Sequence, residues 1–536
     1  MISYLRSKVD LNPFSIFAVI YTTAILLEMV ESWAYPIPTL ILLSLSIFLL
    51  LRTNRHRFLI FLTVSTIYFL FFRFPDVANH VNLIICTNIA LILGLIYSIT
   101  RYGGEQEDDR FYEVIQPILR LTIISTFLVA GFHKLNYDFV NPNVSCIRTL
   151  GRKIWQTMLS SFLDLGIPTL VVVGLIGAAA VGVLRRVPAS FALPAIDWPA
   201  LAAPLIATLI ISAALLALVG TSAIASSQGA VIFLVIIVVL CWQVVEGLLL
   251  LFPRFQWVGL VLSLAVHVQL AMIGIVDFQS IALALLMTFI PLDVWRAWMR
   301  SAHIRVGGAY LHRAHVYFLL NLFAGLLMLI QNHVQPIIPR PYVVGGILFN
   351  VAVLIMLWPI ISDLFSKDRG WRWEGVPVLR AATLRPLYLA PLALALFGFT
   401  SYFGLRTAGN FSMFSNLGTE GATSNHILLG SNPLKFAHYQ EDVVRIIDID
   451  DNAAKIGYQY QSLKGNSLPV VEFRKLLLQW REAGRIVPIT LEYQDKITKS
   501  KNIAAETRWR VDGYDWEMRL LDFRVIQPSR PNECRW

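Results

Sequence analysis

Three ionisable side chains occupy places where an apolar chain accommodates charge least. Lys134 closes the apolar run 115–133, within Ala130-Gly131-Phe132-His133-Lys134-Leu135-Asn136-Tyr137-Asp138-Phe139. His80 opens another run in Asn79-His80-Val81-Asn82-Leu83, and His267 lies near the middle of a third, 257–276. At about 1.5 Å per helical residue, His267 is roughly 13–15 Å from either end of its run. Ionisable groups inside such segments are costly, so each is either functional or neutralised structurally. A lysine buried at an apolar helix end without a neighbouring charge favours its neutral amine, which is a base. A histidine can position or polarise an oxygen. The plainer alternatives are equally concrete: Lys134 as a snorkelling anchor, His80 as a solvated interfacial residue, and His267 as a neutral core histidine bonded near Gln269 or to a serine.

Other polar residues join them. Asp138 stands one turn beyond Lys134 and would quench the amine if it paired with it. Glu246 follows Trp242 and Gln243 by a turn, Arg120 and Gln116 share a face of the Lys134 helix, and Asn88 lies in the His80 helix. Arg120 and Glu246 are candidates for the internal ion pair that buried charges need, and the plainer reading of these groups is structural. Glu28 and Glu31 end the first apolar run and read as interfacial. His312 and His315 have an HxxH spacing, but the pair sits in a basic loop with no third ligand in view. The four cysteines (Cys86, Cys146, Cys241, Cys534) show no metal-ligand spacing and no disulfide framework, so no metal is expected.

The elements that must carry these residues are long apolar runs. Of the 536 residues 56% are hydrophobic and 15% charged, and the runs are too long for a soluble core. Segments able to cross a roughly 30 Å hydrocarbon layer fall near 14–31, 36–51, 57–73, 80–99, 115–133, 167–184, 199–219, 229–251, 257–276, 279–292, 315–332, 342–362 and 386–404. The expected fold is an all-α polytopic membrane bundle of about 13 helices, the short 279–292 run being the least regular. Alternate loops are rich in Lys and Arg: Arg6 and Lys8, Arg52 to Arg57, Arg101 and Arg110, Arg185 and Arg186, Arg254, Arg296 to Arg313, and Lys367 to Arg380. By the positive-inside rule these face the cytoplasm, which puts Lys134, His80 and the C-terminus outside. The first apolar run follows Arg6 and Lys8 without a small-residue cleavage site and reads as a retained helix.

The last 106 residues hold 32 of the 78 charged side chains, so a water-soluble domain at 431–536 is expected to follow a membrane domain at 1–430. Within it Asp442–Asp450 alternates as a strand. Leu468–Ala483 is an amphipathic helix, with Ser467 as N-cap, Pro469 in its first turn and Gly484 as its stop. Strand-like runs follow at 486–498, 507–511 and 515–526, giving an α+β domain without a nucleophile or phosphate motif. The net charge of +10 lies mostly in loops between apolar runs, which marks topology and excludes a nucleic-acid footprint. Cys146 and Cys534 both fall on the outer side, where they can pair.

These residues resemble a known family. Ala130 to Val140 is similar to the Ala-Gly-x-x-Lys-Leu-Asp/Asn-x-Asp-Trp pattern of vitamin K-dependent γ-carboxylases, in which the lysine is the catalytic base. Asn79-His80 resembles the family's Asn-His-x-x-Leu element, and His267 with Ile273-Gly274 its later Phe-His and Ile-Gly element. Glu246 through Arg254 resembles a run in the wider HTTM (horizontally transferred transmembrane) group, and Phe411 to His426 resembles the segment after the last membrane helix of bacterial members. The likeness covers about residues 10–430. It departs from the animal enzymes at His133 and Phe139, and the outer domain is too short for their propeptide-binding region.

The resemblance implies a quinone-linked enzyme of a bacterial inner membrane. Lys134 would deprotonate reduced vitamin K or another quinol, and reaction with O₂ would give an epoxide and an alkoxide base, with CO₂ and glutamate carboxylation as an optional sequel. His80 or His267 would hold a quinone oxygen, with Asn79, Asp138, Glu246 and Arg120 around the bound quinol. Its partners would be membrane lipids, a lipid-soluble quinone entering between helices, and a protein or peptide substrate at the outer face. Two alternatives stand beside it: a non-enzymatic quinone- or lipid-binding membrane protein, and a transporter, which would need paired broken helices and a midplane charge pair.

Overall fold

In the computed structural model the described residues are 12–31, 36–74, 78–102, 108–149, 227–271, 275–300, 303–306, 309–333, 341–364, 375–378, 385–420, 424–430, 434–454, 463–509, 513, 515–527 and 534. The chain is mostly helical, with a small antiparallel sheet near its C-terminus. In chain order the helices that carry the argument are α1 (Pro13–Glu31), α2 (Pro36–Leu51), α3 (Arg55–Tyr68), α4 (Asn79–Tyr102), α5 (Asp108–His133) and the single turn α6 (Tyr137–Val140). They continue with α7 (Ser227–Leu251), α8 (Gln256–Ala271), α9 (Val276–Leu286), α10 (Leu292–Arg300), α11 (Arg313–His333), α12 (Pro341–Leu364), α13 (Leu389–Gly398) and α14 (Thr400–Phe403). A two-stranded hairpin, β1 (His303–Val306) with β2 (Ala309–His312), precedes α11. The runs expected at 167–184 and 199–219 lie outside the described residues; each of the other apolar runs falls on a described helix.

Four helical segments are long and apolar enough to cross a membrane: Pro13–Val30, Arg55–Arg73, Asn79–Arg101 and Asp108–His133. In the other described apolar helices the apolar stretch is shorter, 10–17 residues. α1 is apolar all round, and its whole span is buried, which is what a helix without a polar face must do. It packs against α9 and α11 at the centre. By contrast α2, α3, α12 and α13 turn large apolar side chains outward: Ile37 is 72% exposed, Phe71 69% and Trp358 53%. A soluble protein rarely leaves so wide an apolar surface open.

Small residues let α5 meet its neighbours closely. A Cβ on Gly131 would stand 2.8 Å from Val244 Cγ2, and one on Gly247 2.8 Å from Leu128 Cδ2. The contacts descend one helix as they climb the other, so α5 and α7 run antiparallel, packed by the small-residue logic of helices in lipid.

The bundle has two polar ends. At one, Arg55 Nε meets Asp108 at 2.7 Å, and its Nη1 donates to Ser98 Oγ at 2.8 Å. At the other lie Glu28, His80, Asp277 and Lys134. There α3 runs on into a π-helical turn, Phe69–Arg73, which brings Arg73 to Glu28. Glu28, expected to be interfacial, is 2% exposed.

The C-terminal unit has its own core. Strands β3 (Val443–Ile449), β4 (Ser467–Pro469), β5 (Ile489–Tyr493) and β6 (Lys496–Ser500) form an antiparallel sheet in the order β4-β3-β5-β6. The helix Val470–Glu482 packs Phe473, Leu477 and Trp480 with Val444, Ile446 and Leu491 of the sheet. Its start differs from expectation: Ser467 and Pro469 belong to β4, and Pro469 is the cap. The run 486–498 is a hairpin turning at Gln494 and Asp495, both at positive φ. The runs expected as strands at 507–511 and 515–526 hold a 3₁₀ turn (Thr507–Trp509) and a short helix (Trp516–Leu520), because Asp515 caps Met518 N–H.

Candidate functional site

The Lys134 end of the bundle is closed by residues 404–420 and 424–427, which cross the ends of α4 and α5. Asn79 Oδ1 accepts from Phe411 N–H, and Asn82 Nδ2 donates to Gly409 O at 2.8 Å. His133 Nε2 lies 3.1 Å from Asn410 O. A carbonyl only accepts, so Nε2 carries the proton and Nδ1 accepts from Tyr402 O–H at 2.9 Å. Asn136 caps α6 and donates to Ser415 O at 2.5 Å, while Asn425 Nδ2 donates to Asp138 Oδ2 at 2.7 Å. Three non-glycine residues of this cap take positive φ, Phe411, Phe414 and Asn416, and for phenylalanine such a conformation costs about 1–2 kcal/mol. The surrounding bonds over-determine that backbone, as strained functional segments require.

Lys134 is the first residue beyond α5 and is 5% exposed. Its Nζ reaches back one turn to Ala130 O at 3.4 Å and lies 5.9 Å from the centre of the Phe139 ring. Asp138 is engaged by Asn425, and no described acid lies in ion-pair contact with Lys134. Burial without a counter-charge therefore lowers the amine to about 7.

His267 sits deeper, inside a cluster of polar atoms that lack partners. Its Nδ1 bonds Gln279 Oε1, and not the neighbourhood of Gln269 anticipated above. Buried and without a hydrogen-bond partner are His267 Nε2, Gln279 Nε2, Trp242 Nε1, Gln243 Oε1 and both carboxylate oxygens of Glu246. Phe127, Trp242 and Phe278 surround the imidazole, with ring centres 5.9, 6.2 and 5.7 Å away. Unsatisfied buried polar atoms are individually costly; those of His267, Gln279 and Trp242 are in mutual contact, and Gln243 and Glu246 share the helix of Trp242. Phe127, Gly131 and Lys134 lie on one face of α5, and Gly131 faces Gln243 and Val244. The amine and the polar cluster thus share a helix face.

His80 belongs to a third group. Its Nε2 is 2.5 Å from Glu28 Oε2 and 2.8 Å from Asp277 Oδ2, while Arg73 Nη2 meets the other oxygen of Glu28 at 3.2 Å. Phe278 lies near both histidines, its ring centre 6.4 Å from His80 and 5.7 Å from His267.

The structure thus gathers Asn79, His80, Lys134 and Asp138 at one end, with His267 and Glu246 one layer in. Arg120 does not join them. Its guanidinium donates to Thr288 O and to Gln116 Oε1, each at 2.5 Å, and the candidate ion pair with Glu246 is not formed. Fourteen residues of α5 separate Arg120 from Lys134, about 21 Å of helix. Compared with protein families, with curated proteins and with solved structures, the chain matches none.

Sequence reasoning missed Asp277, Gln279 and the burial of Glu28, which no local motif marks. It also found no third partner for His312 and His315. The hairpin supplies one, since His303 is the cross-strand partner of His312, with ring centres 5.2 Å apart.

Proposed function

We propose that this protein is an integral membrane enzyme, similar to the vitamin K-dependent γ-carboxylase and HTTM group, that uses Lys134 to take a proton from a reduced quinone. The observation that carries this reading is a buried lysine without a carboxylate partner among the described residues, on the same helix face as an aromatic-lined cluster of unsatisfied polar atoms. The cluster offers the oxygens of a quinol open positions on His267, Gln279 and Trp242, beside the rings of Phe127 and Phe278. When bound, the quinol supplies the reducing equivalents for O₂. Lys134 accepts the hydroxyl proton; His267, oriented by Gln279, holds an oxygen; and the 404–427 cap excludes water, which a strong base requires. Glu246, a buried acid with both oxygens open, supports the quinol reading further as a partner for a hydroxyl.

The membrane part of the reading rests on the outward apolar side chains and on the four spans. The transporter alternative loses its main support with the missing Arg120–Glu246 pair. The test is epoxide formation by the purified protein given reduced vitamin K and O₂, read by mass spectrometry beside Lys134→Ala. Lysine-dependent epoxide is the expected result. No epoxide from the unaltered protein over a range of hydroquinones would leave a binding role only.

A further inference from the structure

The Glu28–His80–Asp277 group has a geometry that quinol chemistry does not account for. Three elements distant in sequence, the end of α1 and the starts of α4 and α9, bring one ligand atom each to a common point. Glu28 Oε2, His80 Nε2 and Asp277 Oδ2 all lie within 4.8 Å of one another, and all three residues are buried. Both carboxylate oxygens crowd the same nitrogen, at 2.5 and 2.8 Å. One N–H carries one proton in one direction, so it serves one of these oxygens well and leaves the other facing a nitrogen without a hydrogen between them. His80 Nδ1 has no partner, so nothing on its far side draws positive charge into the ring. What two anions and an imidazole lone pair share most readily is a divalent cation.

We propose that Glu28, His80 and Asp277 bind a divalent first-row transition-metal ion. An ion about 2.0–2.2 Å from each atom sets them roughly 3.0–3.6 Å apart, reached by opening the two short contacts by less than about 1 Å. Nitrogen with two carboxylates suits manganese, iron or zinc and leaves coordination positions for water or substrate. Two carboxylates balance the charge of the ion, which a site inside an apolar bundle requires. Arg73, bonded to the outer oxygen of Glu28, fixes that carboxylate from behind and is a positioning residue. The proposed quinol is held by His267 and not by Glu28, His80 or Asp277, so the site stands whether or not the quinol reading holds.

The experiment uses the full-length protein in detergent, stripped with a chelator and titrated with Mn²⁺ while electron paramagnetic resonance follows the free ion. The unaltered protein is expected to take up one Mn²⁺ per chain. Glu28→Gln and Asp277→Asn are each expected to weaken binding by about tenfold or more. His312→Ala, in the other histidine cluster, is expected to leave it unchanged. Pulsed resonance on the unaltered protein gives a second readout that needs no variant to fold, namely modulation from one imidazole nitrogen. No stoichiometric uptake, uptake without nitrogen modulation, uptake unchanged in both carboxylate variants, or loss with His312→Ala would each overturn the assignment.

Discussion

At the scale of single residues the contrast between Lys134 and Arg120 is instructive, because two buried cations on one helix are treated oppositely. Arg120 is locked by the carbonyl of Thr288 and the amide of Gln116, which leaves its charge no task beyond holding α5 to the turn after α9. Lys134 has one long hydrogen bond and an aromatic ring. A base acts in its neutral form. With burial lowering the amine to about 7, turnover is expected to rise about tenfold per pH unit below 7 and to level off above it. Lys134→Ala should lose about 10²–10⁴-fold in rate together with that limb of the profile. Lys134→Arg keeps the charge, never yields a neutral base near neutrality, and should fare no better. A profile flat across pH 6 to 8 in the unaltered protein would count against the lysine. At this scale the sequence marked Lys134, His80 and His267 because charge is rare in apolar runs. It could not mark Asp277 or Gln279, whose significance comes from partners 197 and 12 residues away.

Elements explain why the site keeps its shape. The apolar runs gave the helix positions closely, since length and hydropathy are local properties. The cap, 404–420 with 424–427, has neither periodicity nor a turn motif, and its form is set by its own Asn425 and by asparagines reaching it from other elements. Asn79, Asn82, Asn136 and Asn425 are all tied to backbone or acid groups in or beside it. Asn425 is the keystone: it donates to Asp138 and to Asn416 O and accepts from Gly418 N–H at 2.8 Å. Asn425→Ala is therefore expected to destabilise the protein by about 2–3 kcal/mol, because buried partners are left unsatisfied. The exposed Asn143→Ala should stay within about 0.5 kcal/mol. Melting in detergent measures both. Limited proteolysis should then cut the Asn425 variant first between 404 and 427; equal melting of the two variants would mean that the cap does not depend on this residue.

On the scale of the whole molecule, the C-terminal unit is stitched to the cap and, through it, to the bundle end. Arg406 pairs with Asp522 at 3.2 Å in a buried bridge, Arg524 N–H donates to Thr407 Oγ1 at 2.7 Å, and Cys146 is bonded to Cys534. The disulfide joins the loop after Lys134 to Cys534, a pairing that an oxidising compartment favours. From the loop charges and the positive-inside rule we propose that the Arg55 end of the bundle faces the cytoplasm and the Lys134 end the outside. The disulfide fits that orientation by separate chemistry. A cysteine introduced at Ile497, 69% exposed on the edge strand β6, should accordingly react with a membrane-impermeant maleimide on intact cells. One introduced at Arg52, at the opposite end, should react only after the membrane is opened. Cys534→Ser should abolish the mobility difference between reduced and non-reduced protein on gels, and should lower the stability of the stitched unit by about 2–4 kcal/mol. Labelling at position 52 in intact cells would invert the topology and put Lys134, with its cap and disulfide, on the reducing side, where neither the pairing of Cys146 with Cys534 nor an outer-face substrate makes chemical sense.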